Sequence, residues 1–309
     1  MTVVDVHNHA APQGLLELLR TRPGYDTAGV GPLRTDPAAK LGQLDEKGID
    51  AALVSILPTL HGYDLPPDAG EDVARTANAG LRDYAAAAPD RLRWMAHLPL
   101  GAPGRIPGVL DDAVRDGAVG VAVGTAVGPD RLDAPAYEPL WEAAARLGVP
   151  VFVHPNYPWT GGYPGLDDFH FQNVLGHPLE TTITVERLIC AGVLDRYPGL
   201  RLVLAHGGGY FPFQAGRLRH ARTVRPELRS APADPWAYRG QVCVDTITHD
   251  AAALRYVIDR MGAENVLLGT DLPADMATPD PMAALSEAAD PDTVRTITET
   301  NPKRLYGVG

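Results

Sequence analysis

Residues 3–9 read VVDVHNH, an apolar run that ends in two histidines separated by one residue. β-Branched residues favour strands, and residues two apart in a strand project from the same side. The segment therefore predicts a strand whose last residues, His7 and His9, direct both imidazoles to one point. Imidazole pairs suit zinc and other first-row divalent metals. Taken alone, the same motif also fits a solvent-exposed histidine pair just past a strand.

Seven further apolar runs have the length of strands, and segments with helical spacing lie between several of them. The predicted strands are residues 3–7, 51–57, 92–98, 119–123, 149–154, 202–206, 242–246 and 266–270. Continuous apolar runs fit parallel strands that are covered on both faces. Eight such strands alternating with helices predict an α/β fold of the (β/α)8 TIM-barrel type. The alternative is an open doubly wound sheet, but no glycine-rich dinucleotide loop follows the first strand.

The length of the chain, 309 residues, fits a single barrel domain over residues 1–309. Two connections, at about 10–47 and 155–180, are longer than the others. Both follow the C-terminal ends of predicted strands, where barrel enzymes build their sites. We therefore interpret them as loop insertions beside the site.

The charge and the termini limit the kinds of partner that we expect. A net charge of -11 argues against nucleic acid and anionic membranes, which both attract clustered Lys and Arg. No apolar run approaches the length of a membrane span, and the first residues show no signal peptide. Cys190 and Cys243 lie in apolar stretches and are interpreted as buried thiols in a reducing compartment. These features predict a cytoplasmic protein without nucleic-acid or membrane partners.

Three later predicted strands also end in residues that can bind a metal or transfer a proton. These residues are His154, His206 and Asp271. The C-terminal ends of barrel strands meet at one face, so we expect the three side chains to gather beside the first strand's histidines. One histidine at a strand end is usually structural, whereas the agreement of four strands indicates a site.

Together these motifs resemble the amidohydrolase superfamily, and within it the branch of 2-amino-3-carboxymuconate-6-semialdehyde decarboxylase and related aromatic-acid decarboxylases. The resemblance covers nearly the whole chain and is densest in residues 151–155, 176–182 and 205–225. It implies a small carboxylic acid as substrate. It also implies that His206 and Asp271 are catalytic residues, with His206 as the acid/base.

The resemblance also implies one divalent metal ion, bound by His7, His9, His154 and Asp271. Zinc is the expected ion, with manganese or iron as alternatives, because imidazole and carboxylate ligands accept all three. Superfamily members with two metals bridge them through a carboxylated lysine on the fourth strand. Residues 119–123 read VGVAV and contain no lysine, so we predict a mononuclear site.

Five residues are predicted to contact substrate, each with a structural alternative. The resemblance implies a homodimer in which arginines such as Arg217 and Arg225 bind carboxylates, at least one across the interface; otherwise both lie on a solvated helix face. Arg34 is the nearest counterpart of a substrate-binding arginine in the early loop. His170 stands where relatives have a tryptophan, and Trp159 belongs to an aromatic-rich loop that either forms a planar pocket or packs on the barrel rim. These departures from the family pattern alter the pocket and therefore the expected substrate.

The sequence thus predicts a mononuclear metal-dependent decarboxylase that acts on a small aromatic or unsaturated carboxylic acid. A hydrolase or hydratase is the alternative, because the same metal and His206 could activate water. A barrel that binds a ligand without turnover is the third hypothesis. The remaining histidines interpreted as structural or surface residues are His61, His97, His177 and His220.

Overall fold

The computed structural model describes residues 2–25, 27–156, 164–228, 231 and 234–309. Eight parallel strands follow one another around a sheet in chain order. The strands are β1 (Val4–Ala10), β2 (Ala51–Ile56), β3 (Leu92–His97), β4 (Gly120–Val123), β5 (Val151–Val153), β6 (Leu202–Leu204), β7 (Val242–Asp245) and β8 (Val266–Leu267). A short antiparallel hairpin, Ala126–Val127 with Asp130–Arg131, follows β4.

Backbone hydrogen bonds between β1 and the residues after β8 close the sheet into a barrel. The amide of Val6 donates to the carbonyl of Leu268 at 2.9 Å, and the amide of Asp271 donates to the carbonyl of His7 at 2.9 Å. A third bond runs from the amide of His9 to the carbonyl of Leu272. The predicted (β/α)8 barrel is therefore confirmed, and the predicted open sheet is not formed.

The strand bounds differ from the predicted ones at two informative places. The first strand is longer than predicted and runs to Ala10, because its last residues stay paired with β2. The fifth is shorter and spans Val151–Val153. Pro150 and Pro155 flank it, and proline has no amide hydrogen to donate to a neighbouring strand.

Helices cover the outside of the barrel. They are α1 (Gln13–Arg20), α2 (Pro32–Thr35), α3 (Pro37–Glu46), α4 (Pro67–Ala86), α5 (Ile106–Arg115), α6 (Glu138–Leu147), α7 (His177–Cys190), α8 (Val193–Arg196), α9 (Phe211–Val224), α10 (Ala251–Met261), α11 (Pro281–Ala288), α12 (Pro291–Arg295) and α13 (Asn301–Tyr306). Gln172–Gly176 and Thr296–Thr300 are single π-helical turns. None of the helices in the described part of the chain combines the length and apolar character needed to cross a membrane.

The long connection at residues 10–47 contains three helices rather than an irregular loop. Asp36 explains the start of α3, since its carboxylate accepts a hydrogen bond from the amide of Ala38 at 2.9 Å. Pro37 then occupies the first helical position, where a missing amide hydrogen costs nothing. The second long connection leads through the π-helical turn into α7.

Two apolar layers stabilise the barrel. The larger layer lies between the sheet and its helices and includes Leu15, Leu81, Leu110 and Trp141. The smaller layer fills the barrel interior, with Met95 and Phe152 among its members. A filled interior leaves the C-terminal face of the barrel as the place for a site.

Candidate functional site

A register shift in β1 places both histidines of the first strand inside the barrel. The pairing of β1 with β2 shifts between Asp5 and Asn8. Val4 and Val6 belong to the barrel interior, and His7 also faces inward, with its ring 4.9 Å from that of Phe152. Strict alternation would have turned His7 outward, so the irregularity redirects the side chains, as bulges beside active sites do.

Four histidines and one aspartate from four strand ends meet at the C-terminal face. The ring centroids of His7, His9 and His154 lie 4.9–5.2 Å from one another, and the His206 ring lies 5.1 Å from that of His154. The Asp271 carboxylate contacts three of the rings, with Nε2 of His9 at 3.1 Å, of His7 at 3.4 Å and of His206 at 3.6 Å. The five residues expected to gather therefore do so.

The structure contains two overlapping sets of four possible ligands. The donor atoms of His7, His154, His206 and Asp271 all lie within 4.8 Å of one another. The predicted set has His9 in place of His206, and the 3.1 Å contact of His9 with Asp271 keeps it beside the same point. His206 is more exposed than the other rings and lines the adjoining cavity. We therefore keep His9 as the ligand and His206 as the group that faces substrate, and this assignment stays a proposal.

The protonation states of the cluster suit a divalent cation. Burial lowers the pKa of His9 and of His154, so both rings are neutral at neutral pH. Burial alone would raise the pKa of Asp271, but the neighbouring His7 holds it well below the usual range. The Nε2 atoms of His7, His9 and His154 are buried and have no hydrogen-bond partner among the described residues. Asp271 and Asp245 raise the pKa of His7 to about 10 against the effect of burial, so this ring holds a proton that a bound cation would displace. The neutral rings of His9 and His154 beside an ionised carboxylate are already in the form that metal binding requires.

Asp245, at the end of β7, fixes two members of the cluster. Its carboxylate lies 2.7 Å from Nδ1 of His7. It also accepts hydrogen bonds from the amides of His206 at 3.0 Å and Gly207 at 2.7 Å. A carboxylate on the far nitrogen of a ligating histidine sets the ring's orientation and raises its basicity. Asp245 is not among the residues predicted from the sequence, although an acidic residue at the end of an apolar strand was a usable signal.

Replacing Asp245 with Asn should weaken metal binding. The change keeps the size of the side chain but removes the negative charge that orients His7 and holds the His206 amide. We expect metal affinity to fall about 10- to 100-fold, measured by competition with a chelator. Asp259→Asn on the exposed side of α10 is the matched control and should leave affinity unchanged. Equal affinities in the two variants would contradict the role of Asp245.

A second buried polar network lies behind the first strand. Lys40 is fully buried, and its Nζ donates to Oδ1 of Asn8 at 2.7 Å. The Asn8 amide donates to Asp5 at 2.8 Å, and Asp5 accepts from the amide and the hydroxyl of Thr270. Asn8 lies between the two histidines of β1, and Thr270 precedes Asp271. The network therefore ties together the two strand ends that carry three of the proposed ligands.

Lys40 should make stability depend on pH in the alkaline range. Burial lowers its pKa from 10.5 to about 7, so the unfolded chain binds more protons between these values, and stability rises with pH there. From pH 7 to 9, the unfolding free energy of the metal-free protein should increase by on the order of 2 kcal/mol more than that of Lys40→Met. Denaturant titrations at both pH values measure this difference.

Lys303→Met, at an exposed position, is the control for the Lys40 experiment. It should follow the pH dependence of the unchanged protein. A Lys40→Met protein with that same pH dependence would show that Lys40 does not titrate in this window.

His206 and Asp271 both adopt a left-handed backbone conformation. Their φ angles are 57° and 64°, a region that costs residues other than glycine of order 1–3 kcal/mol. The hydrogen bond from the His206 amide to Asp245 and that from the Asp271 amide to His7 hold these conformations. Both side chains are thereby turned toward the centre of the site.

An open cavity of about 770 Å³ adjoins the cluster and has His206 and Asp271 in its wall. His177, at the start of α7, also lines it, with its ring stacked 6.2 Å from that of His206. Burial lowers the pKa of His177 to about 4, so its imidazole is neutral. Its interpretation as a structural or surface residue is corrected, since its side chain faces the candidate substrate site. His61 and His97, in contrast, are buried and stack on each other at 5.0 Å.

Four of the five predicted substrate-binding residues lie outside the wall of this cavity. Arg217 and Arg225 are exposed at α9 and its C-terminal end, and His170 is exposed before the π-helical turn. Arg34 is partly buried, and its guanidinium donates a hydrogen bond to the carbonyl of Pro273 at 3.3 Å. Trp159 lies outside the described residues. Arg217 and Arg225 therefore do not contact the cavity of their own chain. Their binding of a substrate carboxylate in a second subunit stays a prediction.

The fold and the cluster define a (β/α)8 barrel protein with a candidate metal centre at the C-terminal face. The sequence profile of the family described as "Amidohydrolase" matches residues 4–308. The chain belongs to the amidohydrolase family. The predicted resemblance to this superfamily is thus confirmed.

Relatives within the family carry the names of decarboxylases. A 2-amino-3-carboxymuconate-6-semialdehyde decarboxylase from Dictyostelium discoideum is 30% identical over 276 residues, which cover 88% of this chain and 74% of the relative. A gamma-resorcylate decarboxylase from Rhodococcus jostii is 30% identical over 261 residues, 76% of each chain. A solved structure, a dihydroxybenzoic acid decarboxylase from Polaromonas sp. JS666 with bound manganese and the inhibitor 2-nitroresorcinol, superposes with a TM-score of 0.86 at 23% identity, covering 99% of this chain and 97% of that one.

Proposed function

We propose that this protein is a metal-dependent decarboxylase that releases carbon dioxide from a small aromatic or unsaturated carboxylic acid. The observation that carries the proposal is the cluster of three buried histidines and Asp271 with His206 beside it in the wall of the cavity. The names of the relatives, which are decarboxylases of such acids, support the same reaction class.

The proposed ligands of one divalent ion are His7, His9, His154 and Asp271. When bound, the ion supplies a positive charge that holds the substrate's anionic oxygens and stabilises charge that develops during the reaction. Zinc is the ion predicted from the ligand types, and manganese is the second candidate because the Polaromonas relative contains it. Strand β4 contains no lysine that could bridge a second ion, and the buried Lys40 lies behind β1, where it donates a hydrogen bond to Asn8.

His206 is proposed to transfer the proton that replaces the carboxylate. The bond between the substrate carbon and its carboxylate breaks, carbon dioxide leaves, and the electron pair left on the carbon takes a proton from the imidazole. Asp245 holds the backbone of His206, and Asp271 lies 3.6 Å from its Nε2. The carboxylate of Asp271 contacts the His206 ring and helps to fix its orientation, and this is its proposed part in catalysis.

Carbon dioxide detection tests the reaction class. The purified protein, supplied with zinc or manganese, is incubated in D2O with a panel of hydroxybenzoic and muconate-type acids. The proposal predicts one carbon dioxide per acid consumed and one deuterium on the carbon that lost its carboxylate. Consumption of substrate without carbon dioxide would favour the hydrolase or hydratase alternative instead.

A homodimer is proposed on the strength of exposed apolar side chains near the cavity. Phe213 on α9 is 72% exposed, Val174 of the π-helical turn is also exposed, and both line the cavity. Leu175, the next residue of that turn, is exposed as well. Exposed apolar groups of this size commonly mark interfaces. Light scattering of the purified chain should give twice the mass of 32.9 kDa, and a monomer would contradict this part of the proposal.

A further inference from the structure

The cavity beside the cluster has one charged end and one apolar end. His206 and Asp271 lie at the charged end, where the proposed metal would hold a substrate carboxylate. At the other end, the cavity passes between α9 and α10, where Phe213 and Tyr256 face each other with ring centroids 6.4 Å apart. A bound acid therefore has its carboxylate inside and the rest of its body directed toward these two helices.

No lysine or arginine occurs among the described residues that line this cavity. Among the described lining residues, Asp271 alone carries a carboxylate, and it lies at the end of the cavity that holds the proposed metal ligands. A second carboxylate on the substrate would lose water in the outer part of the cavity without gaining a lysine or arginine partner, which is costly.

None of the arginines predicted to bind carboxylates lines the cavity of its own chain. Arg217 and Arg225 are exposed to solvent, away from the cavity wall. Arg34 uses its guanidinium to bind the Pro273 carbonyl. Each of them would have to come from another subunit or change its contacts to reach a substrate in this cavity.

The outer part of the cavity suits an uncharged, largely apolar group. Its wall includes Ile247, Val257 and Met276, and its volume of about 770 Å³ lies within the range of sites for drug-sized ligands. Its neutral polar groups include Asn173 and Gln214, which can bind a hydroxyl or amide but do not neutralise a negative charge. A benzoic acid alone would leave much of this volume filled by water.

We propose that the substrate is an aromatic or unsaturated acid with a single carboxylate and an uncharged, mainly apolar substituent that extends between α9 and α10. This inference rests on the proposed function, since it assumes that the carboxylate to be removed lies at the metal cluster. It separates this chain's substrate from diacids, for which the cavity offers no lysine or arginine among its described residues.

Matched substrates test the inference. 2-Hydroxybenzoic acids carrying either a propyl group or a carboxylate at the same far ring position are compared with the metal-loaded protein. We expect kcat/KM for the propyl acid to exceed that for the diacid by roughly 100-fold. A diacid turned over as well as or better than the propyl acid would overturn the inference.

A cation placed in the cavity should reduce the preference for the propyl acid. Gln214 lies on α9 in the cavity wall, away from the cluster, and Gln214→Arg would put a guanidinium beside the outer part of the substrate. We expect the diacid to gain at least about 10-fold in kcat/KM with Gln214→Arg, and nothing with the uncharged control Gln214→Leu. Failure of Gln214→Arg to raise diacid turnover, in a folded variant with normal propyl-acid activity, would contradict the inference.

Arg217→Gln tests whether an arginine from a second copy of the chain contributes to substrate recognition. The substitution should leave the preference unchanged. The unchanged protein could instead prefer the diacid and lose this preference in Arg217→Gln. An arginine from another subunit would then bind the second carboxylate, and the inference would be wrong.

Calorimetric binding distinguishes failure of this inference from failure of the proposed function. Both acids are titrated into the metal-loaded protein, whether or not carbon dioxide is released. Tighter binding of the propyl acid without carbon dioxide would support the ligand class and reject the decarboxylase. Tighter binding of the diacid would reject the ligand class irrespective of turnover.

Discussion

Replacing His206 with Asn should reduce kcat by about 1,000-fold while the metal content stays at the level of the unchanged protein. Asn is the suitable replacement because it tolerates the left-handed backbone at this position, where φ is 57°. The loss follows because no other described imidazole both lines the cavity and lies within 3.6 Å of the Asp271 carboxylate. Carbon dioxide release and elemental analysis on the same preparation measure the two quantities.

The metal content decides between the two possible ligand sets. His206 is close enough to His7, His154 and Asp271 to complete a four-residue site by itself. If the variant lost metal together with activity, His206 would be a ligand and the proton donor would have to be another group. His220→Asn, on the exposed part of α9, is the control and should leave both metal and activity unchanged.

Replacing Asp271 with Asn should abolish both metal binding and turnover. Asp271 is the only carboxylate within contact of His7, His9 and His206 through their Nε2 atoms in the described structure. Removing its charge should lower metal affinity by more than about 100-fold, because loss of a residue that only supports a ligand already costs 10- to 100-fold. Asn again tolerates the left-handed backbone, since φ is 64° here.

Asp275→Asn provides the matched control for this experiment. It lies four residues further along the same segment, is exposed, and is absent from the cavity wall. A folded Asp271→Asn protein that retained one metal per chain and normal turnover would remove Asp271 from both of its proposed roles.

The fold and the gathering of the cluster could be predicted because each depends on short-range sequence signals. Apolar runs such as residues 242–246 predict buried strands, and the barrel then brings their C-terminal ends together regardless of the connections between them. His154 and Asp271 each end such a run. Their convergence therefore followed from the topology alone, without knowledge of any side-chain contact.

The contacts of the supporting residues could not be predicted from the sequence because their partners are distant in the chain. His7 and Asp245 are 238 residues apart, and Lys40 bonds to Asn8 across 32 residues. Lysine is seldom buried without a partner, so nothing in the sequence around Lys40 indicated that it would be enclosed. The direction of His7 depended on the register shift in β1, which leaves no mark in the pattern of residues.

The substrate-binding residues were the least predictable part. Whether Arg217 faces the barrel, the solvent or a second subunit depends on how α9 rotates against its neighbours. On α9 only Phe211, Pro212 and Ala215 are buried, all near its beginning. The sequence of the later turns therefore does not define an inner face, and His177 was passed over for a related reason, since a single histidine at a helix start carries no distinguishing pattern.

Elemental analysis combined with carbon dioxide release tests the central proposal most directly. The purified protein is assayed as isolated, after removal of metal with a chelator, and after return of one equivalent of zinc or manganese per chain. We predict one equivalent of metal in the active protein, loss of carbon dioxide release with its removal, and recovery when it is returned. Two equivalents per chain would contradict the mononuclear site, and full activity without metal would contradict the metal-dependent decarboxylase itself.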